Sequence, residues 1–479
     1  FPTTTPSVTI CEAKCMEIGQ VPSCSYHHLQ FYVDSLKSLE YYQVIQNRLC
    51  EFASKYQPPE GAQRFNLPEA RATWQSLGPS KNPADYVSQN QDLVEQLLYG
   101  LGWSISGEHT GPETRSFLVT SADKTGGIQF VITCPTPPSP ALCASTTPMP
   151  INQEGIDSMN GAKRIKLEET FDHFSGHHLA RFSDNHKRGN GVAVLGFKLS
   201  QGGIEGVMER YQSLHPALIL TGSPRTYDDV MERQREGNTG STITIFEVFA
   251  YYRKEDPDSG ERPAADTGTV LRFVASSETD ADSTKPGSTV LPGLTLFERA
   301  SAQPLAVAAY CDHWVSNVFS RVQFLDTLHD TLGFAPKVNF NAGVVAAGRA
   351  QIESTVTGNT SRLKTRDYDV ISEDQSQVFL PINNALTEFG HVDQYLKEIG
   401  QGIQHVASRV KDLPTLIQRA NDLREVTGQG LSFLNIPPTY YGLVIPSMLL
   451  ASYESMSQLE VVSQSPEMPL STNQNHEHT

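Results

Sequence analysis

The chain lacks a basic excess and a long apolar run. Lys and Arg number 37 against 53 Asp and Glu in 479 residues, a formal net charge of −16. Sequence-independent grip on a phosphate backbone needs a basic face, so no nucleic-acid partner is expected. The longest nearly apolar stretch, Gly442–Ala451, is interrupted by Pro446 and Ser447. A spanning helix needs ~20 apolar residues, so no transmembrane segment is expected. Cys-x-x-Cys is missing as well. The seven cysteines, at 11, 15, 24, 50, 134, 143 and 311, are odd in number and cannot all pair within one chain. Cys11 and Cys15 have no second Cys/His pair at zinc spacing, so scattered free thiols are the simpler reading. A Gly-x-Ser-x-Gly elbow is absent, and Gly191-x-x-x-x-Gly196-Phe-Lys lacks the Gly-Lys-Ser/Thr ending of a phosphate loop.

What is present is a chain that is 38% hydrophobic, enough for a sizeable core, and long enough for two or three domains at ~150 residues each. The segment Phe1–Thr9 is Thr-rich, and no acidic residue precedes Glu12. This composition points to a plastid-targeting remnant, with a cytoplasmic location as the alternative.

Internal repetition gives the clearest organisation. Gly191–Leu199 matches Gly402–Val410 position by position, and His28–Leu39 matches His405–Leu416. With His313–Val318, a strand–helix unit starts four times, near residues 26, 191, 310 and 402. After the last start, Leu413, Leu416, Ile417, Ala420, Leu423 and Val426 form one helical face, with Asp412 as N-cap and Pro414 in the first turn. After the third, Phe319, Val322, Leu325, Leu328 and Leu332 predict a helix closed by Gly333. Strand-like runs follow each helix, and this order predicts an α+β fold of paired βαβββ modules, two tandem domains with loop insertions. The insertions 57–124, 134–162 and 253–290 read as surface loops or disordered segments. His173, His177, His178 and His186 read as part of a polar loop able to take up metal adventitiously.

His313 and His405 stand near the starts of two repeated strands, so two imidazoles are candidates to meet on one sheet. Their surroundings carry a resemblance. Cys311-Asp-His313-Trp-Val-Ser-Asn317, Leu380-Pro-Ile-Asn383-Asn, Gly400-Gln-Gly-Ile-Gln-His405-Val-Ala and Phe433-Leu-Asn-Ile-Pro-Pro-Thr-Tyr440-Tyr441 occur in this order. Together with Tyr26-His-His28-Leu-Gln-Phe-Tyr-Val33 they resemble the 4-hydroxyphenylpyruvate dioxygenase family of the vicinal-oxygen-chelate superfamily. The resemblance spans residues 23–442, with large insertions.

The resemblance implies Fe(II) held by two histidines and a glutamate, with open positions for a small aromatic 2-oxo acid and O2. The implied reaction is oxidative decarboxylation with ring hydroxylation, the homogentisate-forming step of tyrosine catabolism. The histidines map onto His313 and His405, and Asn383 matches a substrate-pocket position. Glu460, in Gln458-Leu-Glu460-Val-Val, is the best match for the glutamate; its alternative is a solvated charge on a C-terminal helix. Val194 stands at the first-module position matching His405, so that module is expected to lack the site. The C-terminus is shortened and divergent relative to the family, with no gate helix after the glutamate. An iron dioxygenase and a catalytically silent relative, kept as a binding or structural subunit, therefore both stay open, as does homo-oligomerisation. The expected divisions are 1–22 as an extension, 23–303 as the first module, 304–462 as the second, iron-bearing module and 463–479 as a polar tail.

Overall fold

The computed structural model describes residues 23–58, 64–78, 93–121, 128–136, 171–186, 189–200, 202–228, 242–254, 263–277, 287–297, 309–338, 344–347, 350–359, 367–373 and 376–433. The expected extension 1–22, the tail 463–479, the 303/304 boundary and Glu460 lie outside them.

The first part of the chain runs β1 (Cys24–Tyr32), α1 (Leu39–Lys55), α2 (Leu67–Ser76), α3 (Leu93–Gly100), β2 (Ser104–Thr110), β3 (Thr114–Thr120), β4 (Gln129–Pro135), α4 (Phe171–Asn185), β5 (Gly191–Leu199), α5 (Gly203–Leu214), β6 (Arg225–Asp228), β7 (Thr242–Tyr252), β8 (Ala265–Ser276), β9 (Thr289–Leu291) and β10 (Leu294–Leu296). The second runs β11 (Ala309–Asn317), α6 (Arg321–Leu332), β12 (Ala335–Val338), β13 (Val344–Ala347), β14 (Ala350–Gly358), α7 (Tyr368–Glu373), β15 (Leu380–Ala385), α8 (His391–Glu398), β16 (Gly402–Val410) and α9 (Leu413–Thr427).

These strands build two curled sheets, ordered β6-β7-β8-β5-β1-β4-β3-β2-β10-β9 and β12-β14-β15-β11-β16, with β13 beside β14. The fold is α+β with two sheet modules. Their centres repeat each other in register. In the first, β1 and β5 run antiparallel with Tyr26 opposite Phe197, His28 opposite Gly196, Gln30 opposite Val194 and Phe31 opposite Val192. In the second, β11 and β16 place Cys311 opposite Ser408, His313 opposite Ala407, Val315 opposite His405 and Ser316 opposite Ile403. Irregularities fall at matching places in both. The pairing of Gly191–Leu199 with Gly402–Val410 therefore has a structural basis. That of His28 with His405 does not, because the counterpart of His28 is His313.

Each bulge adds a residue on one strand and resets which face later side chains take. Trp314, Ser316, Ile403 and Val406 share the face turned to the common core, where Trp314 meets Tyr26 at 4.1 Å and Phe197 at 5.8 Å between ring centroids. Ser316 accepts a hydrogen bond from Tyr251 Oη at 3.1 Å. His313, Val315, Asn317 and His405 take the opposite face. Period-two alternation places Ile403 with His405, and the irregularity at Gln404 separates them.

Several sequence expectations are corrected. Residues 57–124 hold α2, α3, β2 and β3, so this stretch is part of the first sheet rather than a surface insertion. The strand expected over Thr269–Ala275 is present as β8 and is longer, so 253–290 is not all loop, and the histidines from 173 to 178 lie on helix α4, not in a loop. In α6 the apolar stripe is rotated: Phe324, Leu328 and Leu332 are buried, whereas Val322 is 56% exposed. The caps stand as read, with Gly333 left-handed at φ 63° and Asp412 accepting from the Thr415 N–H. Cys24, Cys50, Cys134 and Cys311 are free thiols. Among the described residues no helix is long and apolar enough to cross a membrane.

One polar tie between the parts is pH-sensitive. His215 Nε2 lies 3.0 Å from Asp330 Oδ2, and Arg210 donates to the Asp330 carbonyl at 3.0 Å. Burial pushes the Asp330 carboxyl up, but hydrogen bonds and charge from His215 and His329 outweigh it and hold it below the usual range. A depressed folded pKa adds stability above the unfolded value of about 3.9 and loses it as pH falls through the folded value. Asp330→Asn is expected to cost about 1.5–3 kcal/mol near neutral pH. In denaturant unfolding followed against pH, the gap to the parent chain should close on acidification below pH ~4.

Candidate metal centre

The face of the second sheet turned away from the common core brings together three of the four residues singled out by sequence. His313 and His405 sit on adjacent strands with ring centroids 6.3 Å apart and planes at 69°. Asn383, on β15, is opposite Asn317 in the parallel β11–β15 pair. It is buried and donates through Nδ2 to Asn317 Oδ1 at 3.3 Å. Asn317 Nδ2 is buried with no hydrogen-bond partner among the described residues. Glu460 lies outside the described residues.

Each imidazole is held through one nitrogen. His313 Nδ1 lies 2.7 Å from Asp312 Oδ2, and an ionised carboxylate only accepts, so Nδ1 carries the proton. His405 Nδ1 lies 3.1 Å from Gln404 Oε1, an amide acceptor. In both rings the tautomer then leaves Nε2 as the lone-pair nitrogen, the arrangement seen behind metal-bound histidines. Burial beside the sheet, then repulsion from His313, lowers the His405 pKa and favours the neutral, ligating form. Asp312 and Gln404 were not singled out by sequence. Their signal was adjacency: each precedes a histidine at a bulge, where neighbouring side chains can meet.

The donor set suits a divalent transition cation, since two neutral imidazoles and a carboxylate or water are ordinary ligands for iron. Among the described residues no cluster of three or more His, Cys, Asp or Glu side chains is arranged to hold a metal ion. His313 and His405 would hold the ion, and the remaining protein ligand would have to come from outside the described residues.

The first module fills the matching place differently. His28 Nε2 accepts from Arg272 Nη1 at 3.2 Å, so it is committed to a guanidinium. Arg272 also donates to Gln30 Oε1 and Glu247 Oε1, both at 2.7 Å, and all four side chains are buried. His28, Gly196 and Arg272 form one row across β1, β5 and β8. A Cβ at position 196 would lie 2.2 Å from His28 Nδ1, so glycine is needed opposite this ring. Val194, at the place of His405, is fully buried against Tyr32 and Phe182, because α4 lies over this face. Tyr32 Oη meets His178 Nδ1 at 2.8 Å and Phe182 packs edge-on to Tyr32.

No protein-family profile matches the chain, and no curated protein sequence matches it. Solved structures of similar shape include a variant of 4-hydroxymandelate synthase from Streptomyces coelicolor, 12% identical, covering 91% of this chain and 83% of that one at a TM-score of 0.46. A fusion of a xylose isomerase-like TIM barrel with 4-hydroxyphenylpyruvate dioxygenase is 14% identical over 90% of this chain and 44% of its own, at 0.40. The 2,2',3-trihydroxybiphenyl 1,2-dioxygenase of Sphingomonas wittichii strain RW1 is 10% identical over 85% and 80%, at 0.32. These scores are too low to bear on what the chain does, and the architecture rests on its own strand order and register.

Proposed function

We propose that the His313–His405 face of the second module is an Fe(II) site, and that the protein is a non-haem dioxygenase acting on a small aromatic 2-oxo acid of the 4-hydroxyphenylpyruvate type. The observation that carries this is the His313–His405 pair, with both Nδ1 atoms tied to side-chain oxygens and both rings on one face. The ordered sequence motifs around them support it. When bound, Fe(II) supplies two-point chelation of the 2-oxo acid and activation of O2. The chain's part is to position. Asp312 and Gln404 fix the ring tautomers, and the Asn317–Asn383 pair presents a buried amide donor, Asn317 Nδ2, for a polar group of the substrate. Glu460 is the proposed third ligand.

The test is O2 uptake by protein reconstituted anaerobically with Fe(II), with 4-hydroxyphenylpyruvate as substrate. The expected result is uptake that needs both iron and substrate, with one CO2 released per O2 consumed. Iron bound without any uptake would support the second reading, a catalytically silent relative. What favours that reading is the absence of a carboxylate ligand near both histidines among the described residues. Glu460→Ala separates the two, since only the active protein should lose iron and turnover on that change.

A further inference from the structure

Helix α4 carries a second histidine pair, remote in sequence from His313 and His405. His173 and His177 are one turn apart on the same helical face, with Nε2 atoms 3.0 Å apart and rings perpendicular at 4.4 Å. His173 Nδ1 is hydrogen-bonded to Glu113 Oε1, in the turn between β2 and β3. That carboxylate lies against the helix because residue 176 is glycine: a Cβ there would sit 2.2 Å from Glu113 Oε2. Asp172, next in the helix, is committed elsewhere. It accepts from the Glu113 and Thr114 N–H groups at 2.9 and 3.0 Å and from Thr114 Oγ1 at 2.6 Å. It anchors α4 to the same turn.

This hydrogen-bond pattern fixes the protons. The Glu113 carboxylate only accepts, so His173 Nδ1 carries hydrogen and its Nε2 accepts from His177 Nε2–H. When a cation takes this place, the shared proton moves to His177 Nδ1 as that ring changes tautomer, and the ion meets two imidazole nitrogens already converged. With metal–nitrogen bonds of ~2.0–2.1 Å, two such ligands on one ion stand roughly 3 Å apart, the separation found here. A carboxylate behind the ligating ring is the outer partner that metal-binding histidines ordinarily have. His177 is exposed, so an ion enters from solvent and keeps water in its other positions.

We propose that His173 and His177 chelate a divalent transition cation of the Zn2+ class, with Glu113 as the positioning residue. Because both histidines belong to α4 and Glu113 to the β2–β3 turn, the bound ion staples one turn of α4 and, through Glu113, reinforces its tie to that turn. The site is separate from the iron reading and does not depend on it.

The experiment is equilibrium dialysis of the full chain against zinc chloride, with hydrogen exchange of α4 as a second readout. His177→Ala is expected to bind one equivalent fewer than the parent chain, while the His313→Ala/His405→Ala variant keeps that equivalent. Zinc should slow exchange in α4 of the parent chain but not in His177→Ala. Glu113→Gln should weaken this equivalent about 10–100-fold. If His177→Ala fails to fold by circular dichroism, His177→Gln takes its place. Equal zinc stoichiometry in the parent chain and the His177 variant would overturn the site. An unchanged affinity in Glu113→Gln would overturn the role given to Glu113.

Discussion

Arg272→Ala is expected to destabilise the protein by about 3–5 kcal/mol, the usual effect of removing one member of a buried ion pair. The guanidinium is fully buried, and Glu247 beside it is 1% exposed. Without Arg272, Glu247 keeps an uncompensated charge, while Gln30 Oε1 and His28 Nε2 lose their donor. Against a total stability of ~5–15 kcal/mol this is a large fraction. Arg272→Met combined with Glu247→Leu should regain part of the loss, because neither member of the buried pair is left charged. The recovery is incomplete, since two stranded acceptors still cost ~1–3 kcal/mol each. Urea unfolding of the three proteins, compared at equal slope, measures this. A change below ~1 kcal/mol in Arg272→Ala would mean that water, not Arg272, satisfies these groups.

The second large effect concerns the paired histidines. His313→Ala and His405→Ala are each expected to lower Fe(II) affinity by at least about 100-fold and to bring O2 uptake with 4-hydroxyphenylpyruvate to background. This bound follows because loss of an outer partner alone costs 10–100-fold. Asp312→Asn tests that outer effect. The amide preserves shape but no longer demands a proton on His313 Nδ1, so an intermediate loss, about 10–100-fold in iron affinity, is expected. The same substitution should barely alter stability, as the His313–Asp312 pair is partly exposed. Metal titration beside thermal unfolding distinguishes a ligand-orienting role from a structural one.

Much of the second module was legible because its signals are local. Asp412, Pro414 and Gly333 mark helix ends through backbone chemistry that any context preserves. The strands of the histidines announced themselves in His313–Val318 and Gly402–Val410, and Val194 was identified as the counterpart of His405. What was not legible depends on partners distant in sequence. The irregularities near Asp312 and Gln404 exist only in the β11–β16 pairing, and they decide which residues share a face with the histidines. β2 (SISGEHT) lacks an alternating apolar pattern because Ser104 and Ser106 supply two of its four buried positions. Helix α4 was hidden for a related reason. Asp172, Ser175, His178 and Phe182 occupy its buried positions, so polar residues stand where periodicity looks for apolar ones. Their partners, Thr114, Tyr32 and the backbone of Gly268, come from other strands.

The central claim is that His313 and His405 jointly hold a metal ion, and anaerobic Fe(II) binding measured by metal analysis after desalting tests it most directly. The parent chain should retain one more equivalent of iron than the His313→Ala/His405→Ala variant, with both proteins equally folded by circular dichroism. Equal iron in the two proteins would contradict the account.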